Sequence, residues 1–420
     1  MAADIAEEGD SVCGPLIVGP DPSRPLKLQI FDYVRASGPV SRARVARDLG
    51  ISPGTVSTLT GALIDSMLLC ESPVSRSAAN SIRGRPPVGL AVRPEAFIVA
   101  GIKLSSRDST GILLDFAGQQ LTSIRHRSSA PQTDVDAQLA TITAMVDKML
   151  CDVGRTRRDL GAVGVGVPGF VHHASGRVHW SWALDGRDID FARIATERIG
   201  VPVAVDNDAN LVALAELWFG KGRDRANFAV VTIEQGVGMG MVLDHRVFRG
   251  ANGVGPELGH TKVQIDGALC RCGQRGCLEA YLADYAIARE AYAALNLQIE
   301  DTQPVPELID ALQTAAASGN EVAQSIFDRA RHHLAAGLST VINLFDPPLL
   351  ILSGGQRRFD WLNTQDLLVE MQAFTIDSGQ PLPPLVIHEW GDLLWAYGAG
   401  ALALSRITET ELGLVREDVA

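Results

Sequence analysis

Between residues 24 and 93 the hydrophobic positions recur at helical spacing. Leu26, Leu28, Ile30, Phe31 and Val34 form one stripe, which stops at Ser37-Gly38-Pro39. Ser41 then opens a second predicted helix with Val45 and Leu49 facing inward, and Gly50 ends it. Ser52 caps a third, with Pro53 at its first position and Val56, Leu59, Leu63 and Ile64 at helical intervals. A helix, a glycine turn and a second helix make a helix-turn-helix. The polar face of the third helix carries Ser52, Thr55, Ser57, Thr58 and Thr60. Short hydroxyl side chains there suit close approach to phosphates and base edges in a major groove. Leu68-Leu69-Cys70-Glu71 reads as a strand, and a polar hairpin tip containing Ser81-Ile82-Arg83-Gly84-Arg85-Pro86-Pro87 follows it. This is a wing, with Arg83 and Arg85 placed to enter a narrow minor groove. A three-helix adaptor with a solvated basic loop would share much of the pattern, but helix order, turn glycine and basic wing agree on DNA.

From Phe97 onward the period changes to strands. Phe97–Lys103, Ser109–Phe116 and Gln119–Arg127 are followed by an amphipathic helix over Val135–Val153 and an apolar strand over Ala162–Val167. Val201–Val205 runs into Asp206-Asn207-Asp208-Ala209-Asn210 and a helix through Trp218. The outline repeats: strands at Phe228–Ile233 and Val237–Leu243, helices over 278–293 and 306–344, a strand at Leu349–Leu352, and a last helix over Asp392–Leu404. Strands followed by alternating helix and strand, met twice, predict an α/β body of two lobes with a cleft between them. The expected domains are a flexible tail over 1–23, a winged helix-turn-helix over 24–93, a first lobe over 95–215 completed by a helix in 390–410, and a second lobe over 216–389. Predicted strand ends and turns carry Gly164-Val165-Gly166-Val167-Pro168-Gly169, Asn207-Asp208 and Gly236-Val237-Gly238-Met239-Gly240. Ligand sites of open α/β sheets lie at such places. An amide beside a carboxylate can grip vicinal hydroxyls, as can Glu257 and Glu279. Together they predict a polyhydroxylated ligand, although Asp208 alone could simply cap a helix.

Charge sharpens the division. The chain has 420 residues and a net charge of −12, yet Arg24 to Arg93 holds ten Arg/Lys against four Asp/Glu. A basic module on an acidic body suggests a DNA-binding head on a body with another task. No apolar run approaches a membrane span. Cys13, Cys70 and Cys151 are scattered, which points to a reducing cytoplasm.

The other three cysteines are not scattered. His260, Cys270, Cys272 and Cys277 fall within eighteen residues, with Gly273 and Gly276 to turn the backbone. One imidazole and three thiolates are what a closed tetrahedral Zn²⁺ site requires. Three unpaired thiols and a loop histidine are the plainer alternative. A structural zinc is the expectation, and it would also position Glu257 and Glu279.

The segment Glu257-Leu258-Gly259-His260 with Cys270-Arg271-Cys272-Gly273-Gln274-Arg275-Gly276-Cys277-Leu278-Glu279 closely resembles the ROK family of repressors and kinases. The resemblance covers nearly the whole chain. It implies an actin/hexokinase-like (ribonuclease-H-like) body. It implies zinc ligation by His260, Cys270, Cys272 and Cys277, and sugar contacts at Asn207, Asp208, Glu257, His260 and Glu279. Asp208 matches the general base of the family's kinases. Their phosphate loop is of the Asp-x-Gly-Gly-Thr type, whereas here the turn reads Gly101-Ile102-Lys103-Leu104-Ser105-Ser106, and Glu234-Gln235 replaces a second phosphate-binding pair. A carboxylate at Glu234 would repel ATP phosphates. Gly354-Gly355 matches the adenosine segment only weakly. A retained sugar site, a degraded nucleotide site and a Gly84-Arg85-Pro86 wing resemble the repressor branch, to which the N-acetylglucosamine and xylose-operon repressors belong. The resemblance therefore implies a non-enzymatic, sugar-responsive regulator, with the sugar in the interlobe cleft. It would act as a homodimer or tetramer on double-stranded operator DNA. An ATP-dependent sugar kinase with an added head is the alternative, and a protein-docking module a third.

Overall fold

A computed structural model describes residues 12–73, 88–295, 304–354 and 359–414. Arg83, Arg85 and Gly355 lie outside these residues. The described chain forms two compact units, one of residues 1–226 with 395–420 and one of residues 227–394.

The first unit opens with three helices, α1 (Leu26–Ser37), α2 (Arg42–Leu49) and α3 (Pro53–Asp65). Their boundaries follow the expected chemistry. The Ser41 and Ser52 hydroxyls accept hydrogen bonds from the Arg44 and Thr55 amides at 3.3 and 3.1 Å, and Gly50 closes α2 in the left-handed conformation at φ 65°. Each such cap contributes about 1 kcal/mol. A short strand β1 (Val40–Ser41) pairs with β3 (Val88–Val92), which also pairs with β2 (Leu69–Pro73), giving an antiparallel sheet of order β1-β3-β2. Three helices and this sheet make up the N-terminal part of the first unit. Thr60 departs from expectation. It is fully buried and accepts from Arg42 Nε at 3.1 Å, because it lies on the same face as Val56 and Leu63.

The expected loose tail also departs from expectation in its described part. Cys13 is buried, the Gly14 amide donates to the Trp218 carbonyl at 2.8 Å, and the Leu16 amide donates to the Arg223 carbonyl at 2.8 Å. Backbone bonds and a small buried side chain fasten this stretch where composition alone suggested none.

The rest of the unit is built on a five-stranded sheet. Its strands are β4 (Ile98–Lys103), β5 (Asp108–Asp115), β6 (Gln120–Arg127), then, after helix α4 (Val135–Asp152), β7 (Leu160–Val167). A hairpin of β8 (Gly169–His172) and β9 (Arg177–Ser181), helix α5 (Phe191–Ile199), β10 (Val203–Asn207) and α6 (Asp208–Trp218) complete it. The order is β10-β7-β4-β5-β6, antiparallel among β4, β5 and β6 and parallel among β4, β7 and β10.

β7 shows how the sequence sets the packing. Val163, Val165 and Val167 point to one face and join the core with α4 and α5. Gly164 and Gly166 point to the other. A Cβ on Gly164 would lie 1.9 Å from the Ala399 carbonyl, and one on Gly166 would lie 2.3 Å from Leu211. These glycines let two helices lie against the strand. They serve packing, whereas the sequence reading associated them with a ligand turn.

The second unit repeats the plan. Strands β11 (Phe228–Ile233), β12 (Val237–Leu243) and β13 (Arg246–Val247) precede a long excursion through α7 (Glu279–Leu282), α8 (Asp284–Ala294), α9 (Val305–Ala317) and α10 (Glu321–Phe345). Then follow β14 (Leu350–Gly354), α11 (Thr364–Phe374) and β15 (Leu385–Glu389). The sheet order is β13-β12-β11-β14-β15, with the same sense for each strand as in the first unit. The final helix, α12 (Leu394–Glu411), belongs to the first unit and supplies the backbone that meets Gly101 and Gly164.

Candidate metal centre and ligand-contacting residues

The metal-loop geometry begins with backbone turns. Gly273 and Gly276 have φ of 86° and 76°. A Cβ on Gly276 would lie 1.8 Å from the Gln264 carbonyl, so only glycine fits. The Cys270 amide donates to the Gln274 carbonyl at 2.8 Å, and Lys262 bridges to Cys277 across a short antiparallel contact. These turns gather the side chains of His260, Cys270, Cys272 and Cys277, whose ligand atoms all lie within 4.8 Å of one another. Cys272 Sγ and Cys277 Sγ are 3.7 Å apart, and Cys270 Sγ is 3.8 Å from His260 Nδ1. Tetrahedral bonds of about 2.3 Å to sulfur give edges of about 3.8 Å. The donor set therefore fits a tetrahedral cation and is capable of holding a metal ion. Burial pushes the Cys270 thiol up, a cost that a bound cation would offset by favouring the thiolate. Lys262 Nζ lies 3.1 Å from Cys277 Sγ and adds positive charge beside the thiols.

The same loop positions two carboxylates. His260 turns Nδ1 toward the thiols and Nε2 toward Glu257 Oε2, at 3.9 Å. One ring can thus serve a metal through one nitrogen and a second partner through the other. Glu279 opens α7 two residues after Cys277, and its Oε2 accepts from the Val237 amide at 3.3 Å. Gly236 fits against it, since a Cβ there would lie 3.0 Å from that oxygen.

Asn207 and Asp208 lie in the first unit, at the junction of β10 and α6. Asn207 is the cap of α6, its Oδ1 accepting from the Ala209 amide at 2.8 Å while its Nδ2 donates to the Gly169 carbonyl at 2.7 Å. The cap role considered for Asp208 belongs to its neighbour. Burial raises the Asp208 carboxyl above the ordinary range, against the opposing effect of Lys103. Asp206, just before, is fully buried and accepts from Asn210 Nδ2 at 2.8 Å. Sequence reading missed Asp206 and the β8–β9 hairpin, which holds Trp180 against the exposed Trp182 with centroids 4.4 Å apart. The alternation of Val178 and Trp180 was the available signal, and it is short.

The turn after β4 is closed by its own side chains. The Ser105 amide donates to Ser109 Oγ at 3.1 Å, and the Arg107 and Asp108 amides both donate to Ser105 Oγ at 3.4 Å. Lys103 Nζ lies 3.8 Å from the Trp395 ring centroid. On α3, Ser52 pairs with Thr55 Oγ1 at 2.8 Å, Thr58 donates to the Gly54 carbonyl at 3.1 Å, and Ser57 and Thr58 are exposed.

Two α/β units of matching strand order, one carrying a His-Cys₃ loop able to hold a metal ion, define an actin/hexokinase-like protein. The chain belongs to the ROK family, which matches residues 99–405. It is 28% identical to the xylose repressor of Bacillus subtilis (strain 168) over 329 residues, 78% of this chain and 80% of that one. It is 28% identical to the N-acetylglucosamine repressor of Escherichia coli O157:H7 over 326 residues, 77% and 79% of the two. A ROK family transcriptional regulator, a homologue of the Escherichia coli MLC protein, shares the fold across 93% of this chain and 96% of its own, at TM-score 0.75 and 24% identity. The ROK hexokinase of Thermus thermophilus covers 74% of this chain and 100% of its own, at TM-score 0.62 and 27% identity. Among the described residues no helix is long and apolar enough to cross a membrane.

Proposed function

We propose that this protein is a sugar-responsive transcriptional repressor of carbohydrate-metabolism genes, and that it binds double-stranded operator DNA through α3 and the wing. One observation on α3 carries the reading. Gly54 and Gly61 lie within that helix, and a Cβ on either would meet nothing within 4 Å inside the protein. Each helical glycine costs about 1 kcal/mol relative to alanine. No internal contact repays that here, whereas a DNA backbone lying close to Gly54, Ser57 and Thr58 would. Arg83 and Arg85 of the wing complete the proposed contacts.

The proposed effector is a sugar or sugar derivative whose hydroxyls are gripped by Asn207, Asp208, Glu257, His260 and Glu279. Structural zinc is held by His260 Nδ1 and the thiolates of Cys270, Cys272 and Cys277. It fixes the loop from which Glu257 and Glu279 project. The sugar shifts DNA affinity by binding the DNA-competent and DNA-incompetent arrangements unequally. A homodimer or tetramer in the cytoplasm matches a pseudo-palindromic operator.

The alternative is an ATP-dependent sugar kinase, as the hexokinase likeness allows. Against it, the Ser105 and Arg107 amides after Lys103 are engaged by Ser109 and Ser105, and Glu234 at the turn between β11 and β12 would repel phosphate. A gel-shift of the protein on its own upstream region at low salt tests the main reading. A bound complex released or tightened by one monosaccharide is expected. ADP release with hexoses and no DNA complex would replace it with the kinase.

A further inference from the structure

The hairpin of β8 and β9 leads to the most exposed tryptophan of the described chain. It continues from the carboxyl end of β7, where the ligands of open α/β sheets bind. Its register shifts between Phe170 and Val171. A shift of this kind re-aims the side chains on either side of it. Val171 and Val178 pair and stay in the core, whereas Phe170 pairs with Trp180 on the opposite face. Phe170 and Trp180 are half-buried, with ring centroids 5.9 Å apart. Trp182, two residues on, returns to that face and meets the Trp180 ring edge-on at 4.4 Å.

Trp182 is 57% exposed, and among the described tryptophans it alone is exposed. Its backbone is nevertheless firmly held. Before it, Ser181 is buried and its Oγ donates to the Pro168 carbonyl at 2.7 Å. After it, the Ala183 amide donates to Ser181 Oγ at 3.0 Å, and Gln138 Nε2 donates to the Ala183 carbonyl at 3.3 Å. Ala183 and Leu184 belong to the core. A large ring fixed at its base yet left in water is a surface ready for a partner.

The same hairpin is tied to a proposed sugar contact. Gly169 pairs with Ser181, and its carbonyl accepts from Asn207 Nδ2 at 2.7 Å. A Cβ on Gly169 would lie 2.2 Å from the Trp180 carbonyl, so the two strands meet closely there. The Cα of Trp182 therefore lies within about 14 Å of Asn207 Nδ2, a gap that an indole and one sugar ring can fill. A pyranose carries hydroxyls on its rim and C–H bonds on its ring faces. Asn207 and Asp208 suit the rim, and an indole suits a face. A flat protein partner needs far more area than one ring and its neighbour. We propose that Trp182, backed by Trp180, is the stacking platform for a pyranose ring and makes the site select cyclic sugars over open-chain polyols. This rests on the sugar-responsive reading and names ring form as what that site recognises.

The test is titration calorimetry on the full-length protein. The probes are D-glucose, D-xylose, N-acetylglucosamine and the 6-phosphates of the two hexoses, with glucitol and xylitol as open-chain counterparts. At least one pyranose is expected to bind about tenfold more tightly than either polyol. Trp182→Ala should weaken that pyranose about tenfold and erase the preference, while Trp182→Phe stays within about threefold of wild type. Neither variant should melt differently without sugar. Asn207→Ala should lose the same sugar. Loss in Asn207→Ala with full binding in Trp182→Ala overturns the platform and leaves the sugar site standing. Loss in Trp182→Ala with full binding in Asn207→Ala supports the platform and removes Asn207 from the site. Wild type that binds no pyranose overturns both. If Trp182→Ala fails to fold, iodide quenching of wild-type tryptophan fluorescence decides. Bound sugar should lower the quenching, and unchanged quenching with sugar bound overturns the platform.

Discussion

Trp218 ends the helix that Asp208 begins. The eleven-residue helix carries a proposed sugar contact at its start and, at its end, a ring that lies 5.4 Å from the guanidinium carbon of Arg35 on the first helix of the head. At a rise of about 1.5 Å per residue the two ends lie about 15 Å apart. The helix is nearly all buried and crosses α12 at Gly398, where a Cβ would lie 1.9 Å from the Leu211 carbonyl. A movement imposed at its first turn is therefore carried to its last with little loss. Replacing Trp218 with alanine should leave sugar binding and DNA binding each within about threefold of wild type, while the sugar-induced change in operator affinity falls at least tenfold. Fluorescence anisotropy on labelled operator, with and without sugar, measures both. A full response in Trp218→Ala would exclude this helix as the link.

Asp208→Asn separates binding from stability. Burial raises the Asp208 carboxyl, and a carboxyl with a raised folded-state value favours folding only while protonated; that contribution is lost as pH rises through the folded value. At neutral pH the asparagine variant should therefore melt no lower than wild type, and the two should converge near pH 4. Its sugar affinity should fall at least tenfold, because a hydroxyl loses a charged acceptor. Thermal melts across pH, repeated with sugar, check both outcomes. A variant that still responds normally to sugar would remove Asp208 from the site.

The metal loop makes a stoichiometric prediction. Purified protein should carry one zinc per chain by elemental analysis, and Cys272→Ser should carry less than half. A chelator, or acidification that protonates the thiolates, should lower the melting temperature by about 5 °C or more. Unchanged metal content in Cys272→Ser would refute the ligand set.

On α3, two serines are expected to differ. Ser52→Ala loses a cap bonded to the Thr55 amide at 3.1 Å, so the head should lose about 1 kcal/mol of stability along with DNA affinity. Ser57→Ala should weaken DNA binding without a change in melting. Ser57→Glu should abolish it through phosphate repulsion. Normal binding by Ser57→Glu in a gel-shift would take α3 out of the groove.

Gly164→Ala tests the strand packing. Its methyl would meet the Ala399 carbonyl at 1.9 Å, so α12 must shift away from the sheet. A loss of about 3 kcal/mol is expected by denaturant unfolding, with an unchanged metal content. A loss below about 0.5 kcal/mol would show that α12 packs elsewhere.

How legible all this was depends on how local the cause was. The caps at Ser41, Ser52 and Gly50 were readable because each is decided within four residues. The His-Cys₃ set was readable because its members are close in sequence. The segment 306–344 read as one helix, yet it divides at Gly319, which adopts φ 90°, before Asn320 caps α10. The segment 278–293 likewise breaks at Ala283, where the chain turns so that the Asp284 amide reaches the Glu234 carbonyl at 2.9 Å. Helices α5 and α11, strand β15 and the β8–β9 hairpin were missed. β15 is only partly buried along its length and shows no clean alternation. Thr60 was misjudged although its spacing from Val56 and Leu63 puts it on the buried face, and the glycines of β7 were misjudged because what surrounds them comes from α12, far away in the chain.

The matching strand orders show where the fold accepts extra chain. In each half three antiparallel strands, a helix, a strand, a helix and a last strand lead into a closing helix, α6 in one and α12 in the other. The His-Cys₃ loop sits between the third and fourth strands of one half, where the other holds α4 alone. The loop thus occupies a seam that tolerates added chain, and its length or content can change without rewriting either sheet.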